Sequence, residues 1–457
     1  MKELTLKQIA DWCGGTVAPE YETVPVTGVE SDSRKVEVGD LFVALRGERV
    51  DGHDFIPSAK TLGASAALVS RPSEELPCVV VESPLRAYGE IAKHYREMTG
   101  VKVVGITGSV GKTTTKEMIA SVLSRDFKLY KSEGNHNNEI GLPMTVMNMP
   151  EDTELLVAEL GTNHPGEIAY LSAIAQPDYA VITNIGTTHI EYLGSREGIL
   201  REKLDILRSS LKNTVGIFNG DEPLLWNVRD KGTHKKYYFG IDNPSCDVVA
   251  SGIQELDDGM RFHVSGFHHE FELFVPALGR HMVYNALAAA TVGLAMGVKP
   301  ETIQNELSIF RNTGMRQKIY EKNGMTIIED CYNAGPESTE AALGVLASVK
   351  TSGKRIAVLG DMLELGNRSS AEHYRIGRIA AQKADLLLTY GAHSVRTVTG
   401  AITGGMSPKN AEHFDTHEDL VRMLKMRAGE ADVILFKGSR GMKMERVLQM
   451  FLDDHEA

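Results

Sequence analysis

The sequence predicts an α/β protein of three domains, and three observations carry that prediction. Short apolar runs of strand length alternate with helix-period segments along most of the chain, the pattern of mostly parallel sheets wrapped by helices. The length of 457 residues suits about three hydrophobic cores. A glycine-rich loop, GITGSVGKTTT from Gly105 to Thr115, joins a β-branched run, Val101 to Ile106, to a helix-period segment, Lys116 to Leu123.

From Met1 to about Thr99, short strand and helix patterns alternate. Leu41 to Leu45 reads as a strand, Phe55 to Leu62 as a helix stopped at Gly63, and Ala66 to Ser70 as another strand. From Val101 to about Gly314, βα units recur. The apolar runs Leu155 to Leu160 and Tyr179 to Ile185 are separated by a helical pattern, Glu167 to Ala175. Cys246 to Val275 shows period-two patterning, as in RFHVSGFHHEFELFV, and predicts an antiparallel edge. The doublet His268-His269 reads there as strand surface, since neighbours in a strand point to opposite faces. From Arg316 the βα alternation restarts, with strands at Arg355 to Leu359 and Val433 to Lys437 and helices at Ala371 to Ala384 and Met442 to Leu452. Linkers near Met98 to Gly100 and Arg311 to Gly314 set domains of residues 1–99, 100–314 and 315–457.

Strand, glycine loop, Lys-Thr and helix form the arrangement that cradles a polyphosphate. Glycines let backbone N–H groups approach the phosphates, and the helix N-terminus adds positive partial charge. Lys112 can reach the β- and γ-phosphates, and the Thr113 hydroxyl can sit on Mg²⁺. The pattern G-x-x-x-x-G-K-T is not met, because Ile106 stands where its first glycine belongs and the nearest upstream glycines are Gly105 and Gly108. The loop is therefore a variant. A dinucleotide fingerprint needs G-x-G-x-x-G, which is absent here. An ordinary glycine turn would also join strand to helix, but it leaves Lys-Thr-Thr unexplained.

Charge and composition exclude several classes. The formal charge of −12 argues against a nucleic-acid partner. Cys13, Cys78, Cys246 and Cys331 are scattered without a C-x-x-C pair, which suits a reducing compartment rather than a disulfide scaffold or zinc ribbon. Met1 to Ala10 is short, mixed and charged, unlike a signal peptide. No apolar run is long enough to cross a bilayer. The expectation is a cytoplasmic protein without membrane insertion.

Polar clusters fall where strands should end, the place ligands bind in open α/β sheets. Glu159 ends one strand, in VAELGTNHPGEI, and is a candidate metal ligand near the loop. His189 follows the next strand, Lys203 lies on the helix after it, and Asn135, Asn137 and Asn138 crowd SEGNHNNEIGLP. Taken singly, each has a plain alternative. Glu159 fits a helix-start carboxylate, His189 a satisfied surface histidine, and Lys203 a solvated helical lysine. For His189 and Lys203 composition alone favours the plain reading.

GITGSVGKTT resembles the ATP loop of the Mur ligases, which build the peptidoglycan peptide. ESDSRKVEVGDLFVALRGERVDGHDF is similar to the UDP-recognition segment of the later ligases. Asp32, Ser33 and Arg34 match its D-S-R signature, and Asp51-Gly52-His53 its downstream partner. GNHNNEIGLP, IIEDCYNAGPES, AVLGDMLELG and LFKGSRGMKME are similar to segments of one branch, and VLGDMLELG with DCYNA-P is specific to it. The preceding ligase of the series shares the loop, Lys203 and the D-S-R segment but not those two motifs. Folylpolyglutamate synthetase resembles the central and C-terminal parts and lacks the UDP-type first domain.

The resemblance implies a small N-terminal α/β domain that binds a UDP-linked substrate, a central ATP-binding domain with a mostly parallel sheet, and a Rossmann-like C-terminal domain that closes on the nucleotide. Thr107, Gly108, Ser109, Val110, Gly111, Lys112, Thr113 and Thr114 would hold ATP, with Thr113 on one Mg²⁺. Glu159 and His189 would ligate a second Mg²⁺, joined by Lys203, which the family carbamylates with CO₂. Asn138 would lie near the phosphates and Asn285 on adenine, and Arg316 and Asp330 would close over the nucleotide. Three departures stand out. Met282 replaces the usual Asn, Gly335 the Asn of N-A-N-P, and Glu337 the following Asp. The implied substrates are UDP-N-acetylmuramoyl-tripeptide and D-alanyl-D-alanine, joined through an acyl phosphate by a monomeric enzyme. A different class, a nucleotide switch that makes no product, is opposed by Glu159, His189 and Lys203 at family positions.

Overall fold

A computed structural model of the chain describes residues 1–47, 49–208 and 213–453. An antiparallel pair, β1 (Leu4–Thr5) and β2 (Pro25–Val26), precedes a four-stranded parallel sheet. That sheet runs β3 (Gly28–Glu30), β4 (Asp40–Val43), β5 (Ala66–Val69), β6 (Cys78–Val80). Strand alternation sorts its side chains. Leu41, Val43, Ala66 and Leu68 pack with Tyr88, Ile91 and Ala92 of the helix Pro84–Thr99. Phe42, Ala67 and Val69 pack on the other face with Ile56 and Ala59. The helix Ile56–Leu62 ends where Gly63 takes φ +106, a left-handed stop that glycine adopts without a Cβ clash. Its expected start at Phe55 is displaced, because Gly52–Phe55 forms a separate 3₁₀ turn capped by Asp51.

The central sheet has nine strands: β7 (Lys102–Thr107), β8 (Leu129–Lys131), β9 (Leu155–Glu159), β10 (Tyr179–Ile182), β11 (Val215–Asn219), β12 (Lys236–Gly240), β13 (Val248–Glu255), β14 (Met260–Gly266) and β15 (His269–Val275). Their order is β15-β14-β13-β12-β11-β10-β7-β9-β8. Pairing is parallel from β8 to β13 and antiparallel at the β13-β14-β15 edge, as the period-two patterning predicts. His268 departs from the expected strand placement. Phe267 and His268, both at positive φ, form the hairpin turn, and His269 opens β15. The chain leaves β7 toward β8 and leaves β10 toward β11, so a crevice opens between their carboxyl ends, where open α/β sheets bind ligands.

The C-terminal sheet is built from β16 (Lys318–Lys322), β17 (Met325–Asp330), β18 (Arg355–Gly360), β19 (Leu386–Tyr390), β20 (Ala411–Phe414) and β21 (Val433–Lys437). It is ordered β16-β17-β21-β18-β19-β20 and parallel except for the β16 edge. Its two faces are covered by two apolar clusters, one with the helices Pro336–Ser348 and Ser369–Lys383, the other with His417–Arg427 and Met444–Asp453. Among the described residues no helix is long and apolar enough to cross a membrane.

Candidate active site

The loop after β7 is held open by its neighbours. Gly108 lies so close to Thr183 that a Cβ there would stand 1.8 Å from its Oγ1. Asn184, just beyond β10, accepts from the Ser109 and Val110 amides through Oδ1 at 3.1 and 3.0 Å. Thr183 Oγ1 donates to the Val110 carbonyl at 2.6 Å, and the Gly186 amide donates to Ser109 Oγ at 2.9 Å. Those bonds fix Thr107 to Gly111, and the helix Lys112–Leu123 begins at once, four residues before its apolar stripe. Its first-turn amides have no acceptor within the helix and face the crevice. Lys112 Nζ donates to the Gly108 carbonyl at 2.9 Å. Burial lowers its pKa, Glu159 opposes that shift, and Arg316 from the C-terminal domain adds to it.

An oxygen cluster sits at the foot of the loop. Thr113 Oγ1 donates to Glu159 Oε2 at 2.6 Å, and Asn137 Nδ2 donates to Oε1 at 2.8 Å. Glu159 is 3 % exposed. A carboxylate beside a hydroxyl suits a small hard cation. Among the described residues no three of His, Cys, Asp and Glu gather as a metal group, so Glu159 and His189 are not joined by a third such ligand. Asn138 lines the same cleft as the loop. Its Oδ1 accepts from the Ile140 and Gly141 amides and caps the helix Gly141–Met147, while its neighbour Asn137 meets the carboxylate.

Lys203 is buried, on the helix Arg196–Arg208, and no hydrogen bond or ion pair is formed by its ammonium among the described residues. The adjacent carboxylate, Glu202, is committed elsewhere. It accepts from the Gly166 and Ile168 amides at 2.7 and 2.8 Å, at the start of the helix Glu167–Ala175. Burial drives the Lys203 pKa well below its ordinary value, and the charge of Lys112 drives it the same way. Its burial, at 2 % exposure, excludes the solvated helical lysine as its reading.

The C-terminal domain forms the facing wall of a cleft of about 940 Å³. Arg316 lies over the Tyr332 ring at 3.9 Å. Asp330 ends β17 and accepts from Lys437 Nζ at 2.6 Å. Glu337 Oε1 accepts from the amide and hydroxyl of Thr187 at 2.8 and 2.9 Å, and its Oε2 is buried with no hydrogen-bond partner among the described residues. His189 Nδ1 pairs with the Glu364 carboxylate. Asn285 packs behind the loop, where its Oδ1 accepts from Thr115 at 3.2 Å and stands 2.7 Å from a Cβ built on Gly111. Met282 is a core residue whose Sδ receives the Asn285 amide, which accounts for an apolar side chain at that position.

The D-S-R segment lies apart, at the carboxyl edge of the N-terminal sheet. Arg34 makes a bidentate pair with Asp32, both bonds 2.8 Å, and lowers the Asp32 pKa to about 2. Asp51, His53, Ser70 and Arg71 share that edge. His53 bridges the Asp51 carboxylate at 2.7 Å and the Ser70 amide at 3.0 Å, and Arg71 donates to Asp51 at 3.1 Å.

Lys437, Glu364 and Asn184 are site residues that no sequence argument singled out. Lys437 carried a usable signal, a lysine closing a buried strand. The other two act through partners far away in sequence.

The comparisons with known proteins extend over nearly the whole chain. Residues 25–108, 106–293 and 315–440 match, in turn, the Mur ligase family catalytic domain, the Mur ligase middle domain and the Mur ligase glutamate ligase domain. The UDP-N-acetylmuramoyl-tripeptide–D-alanyl-D-alanine ligase of Bacillus subtilis (strain 168) is 41% identical over 460 residues, covering 99% of each chain. A crystal structure of MurF from Acinetobacter baumannii superposes with a TM-score of 0.90 at 32% identity over 99% of each chain. The MurF ligase of Thermotoga maritima in complex with ADP gives 0.83 at 31% identity, covering 94% of this chain and 98% of that one. In sequence, in three-domain architecture and in the loop that opens its central cleft, the chain belongs to the Mur ligase family.

Proposed function

We propose that the chain joins a carboxyl of UDP-N-acetylmuramoyl-tripeptide to the amine of D-alanyl-D-alanine, with ATP cleaved to ADP and phosphate. The observation that carries this reading is the Thr113–Glu159 oxygen pair below Lys112, faced by Arg316 from the C-terminal domain. Lys112 and the amides from Gly111 to Thr114 neutralise the phosphates, and Arg316 and Asp330 close over the nucleotide with Asn285 behind the loop. Thr113, Glu159 and His189 would hold Mg²⁺, which supplies charge neutralisation between the phosphates. Lys203 fits a carbamate: burial favours loss of its proton, and the free amine can then add to CO₂ with loss of one further proton, turning a buried nitrogen without a partner among the described residues into an oxygen ligand. Asp32, Ser33 and Arg34 anchor the UDP end.

A substrate carboxylate oxygen attacks the γ-phosphorus, the bond to ADP breaks, and an acyl phosphate forms. The neutral amine then attacks the acyl carbon, phosphate leaves, and the nitrogen loses a proton. Phosphoryl transfer of this kind needs alignment and charge neutralisation more than covalent help. The facing domains exclude water from the acyl phosphate. The reading takes the chain as a cytoplasmic monomer. Phosphate release measured with the UDP-tripeptide, with and without D-alanyl-D-alanine, tests the reading. Release should require both substrates, and equal release without the dipeptide would make the chain a nucleotide switch instead.

A further inference from the structure

We propose that Glu364 is the positioning residue for His189, delivered by the C-terminal domain to fix the imidazole with its proton on Nδ1 and its lone pair on Nε2. The two residues are 175 positions apart and meet across the domain boundary, with His189 Nδ1 on the Glu364 carboxylate. Both hold left-handed backbone, at φ 63 and 62. That region is uncommon for residues other than glycine, and strain of this kind persists where surrounding structure imposes it. Two such residues in contact mark a built pairing. The Glu364 carbonyl also accepts from the Glu191 amide, at 3.4 Å, so main chain and side chain dock together.

A simple latch would not need this. Glu337 already ties the same loop through Thr187 without positive φ on either side. What Glu364 adds is tautomer control. A carboxylate accepts, so Nδ1 must donate, and in the neutral ring Nε2 is then the acceptor. Metal-binding imidazoles are oriented by such carboxylate partners. Because Glu364 belongs to the motif VLGDMLELG on the C-terminal domain, His189 is set only when that domain is closed. The inference rests on the ligase reading in one respect, that His189 faces a metal-phosphate site.

Histidine-¹⁵N spectra report the ring, with the His189 signal identified by its loss in His189→Gln. Mn²⁺ titrated into the ADP complex, followed by electron paramagnetic resonance, reports the site. The unaltered chain should carry the proton on Nδ1. In Glu364→Ala that preference should vanish and Mn²⁺ should bind about 10-fold or more weakly, the usual effect of losing an orienting partner, while metal-free ADP binds unchanged. A Glu364→Ala chain that keeps the Nδ1–H tautomer, or that holds Mn²⁺ as tightly as the unaltered chain, overturns the inference. An unaltered chain that binds neither ADP nor Mn²⁺ with ADP overturns the ligase reading, and the ring spectra, which need no nucleotide, still decide the role of Glu364.

Discussion

Replacing Lys203 by methionine should abolish ligation and stabilise the fold. Methionine fills similar volume and removes the only atom in the side chain that resists burial. For activity, the group lost under the proposed carbamate reading is a preorganised charge beside the transferring phosphoryl. Contacts of that kind are worth ~2.7–4 kcal/mol, a loss on the order of 10²–10³ in kcat. For stability the sign follows from the amine. Its ordinary pKa is 10.5, and in the fold burial first and then Lys112 hold it well below that. The unfolded chain therefore binds more protons at this position throughout the window from the folded value up to 10.5, so the parent's stability rises with pH across that window. The methionine variant lacks this component. In CO₂-depleted buffer its melting temperature should exceed the parent's at pH 7, and the gap should shrink as pH approaches 10.5. Coupled ADP release and thermal melts at several pH values are the assays. An active variant, or one that melts below the parent at neutral pH, would refute the reasoning. In the alanine variant, acetate should partly restore turnover by occupying the vacated space, and arginine should not, since it stays charged and cannot be carbamylated.

Three other outcomes follow from the geometry. Lys112→Ala should fold normally and lose on the order of 10²-fold or more in turnover, because among the described residues its hydrogen bond is to the Gly108 carbonyl and the proposed role of its charge is on the phosphates; single-turnover kinetics check this. Gly108→Ala should displace the loop, since its Cβ would fall 1.8 Å from Thr183 Oγ1, and calorimetry should show loss of ADP affinity with the UDP-substrate affinity kept. Arg34→Ala should weaken the UDP-tripeptide and leave ATP binding unchanged, because the D-S-R edge lies outside the cleft lining, and the same calorimetry with each ligand separates the two.

Much of the fold was legible because burial imposes periodicity. Glu167–Ala175 and Val433–Lys437 have the bounds the pattern gives, and the antiparallel edge follows from alternation alone. Polar segments hid the rest. The helix after the loop begins at Lys112 and not Lys116, because Lys-Thr-Thr-Thr carries no apolar period. The strand expected to reach Ile185 stops at Ile182, because Thr183 and Asn184 turn away to hold the loop. The last helix starts at Met444, after Lys443 takes φ 51. At the site, Lys112, Thr113 and Glu159 were readable because each stands where a β-strand ends or a helix begins. Glu364 was not, and Glu337 showed only as a departure from the family pattern, since what defines their contacts is a partner 175 or 150 residues away. Asn137 and Asn138 are adjacent in one loop, and only the backbone turn decides which meets the carboxylate and which caps the helix.

The most direct test of the central claim is a mass spectrum of the product. The chain, incubated with ATP, Mg²⁺, UDP-N-acetylmuramoyl-tripeptide and D-alanyl-D-alanine, should yield UDP-N-acetylmuramoyl-pentapeptide with one ADP and one phosphate formed per amide bond. ADP formed without that pentapeptide, or at the same rate when the dipeptide is withheld, would contradict the account.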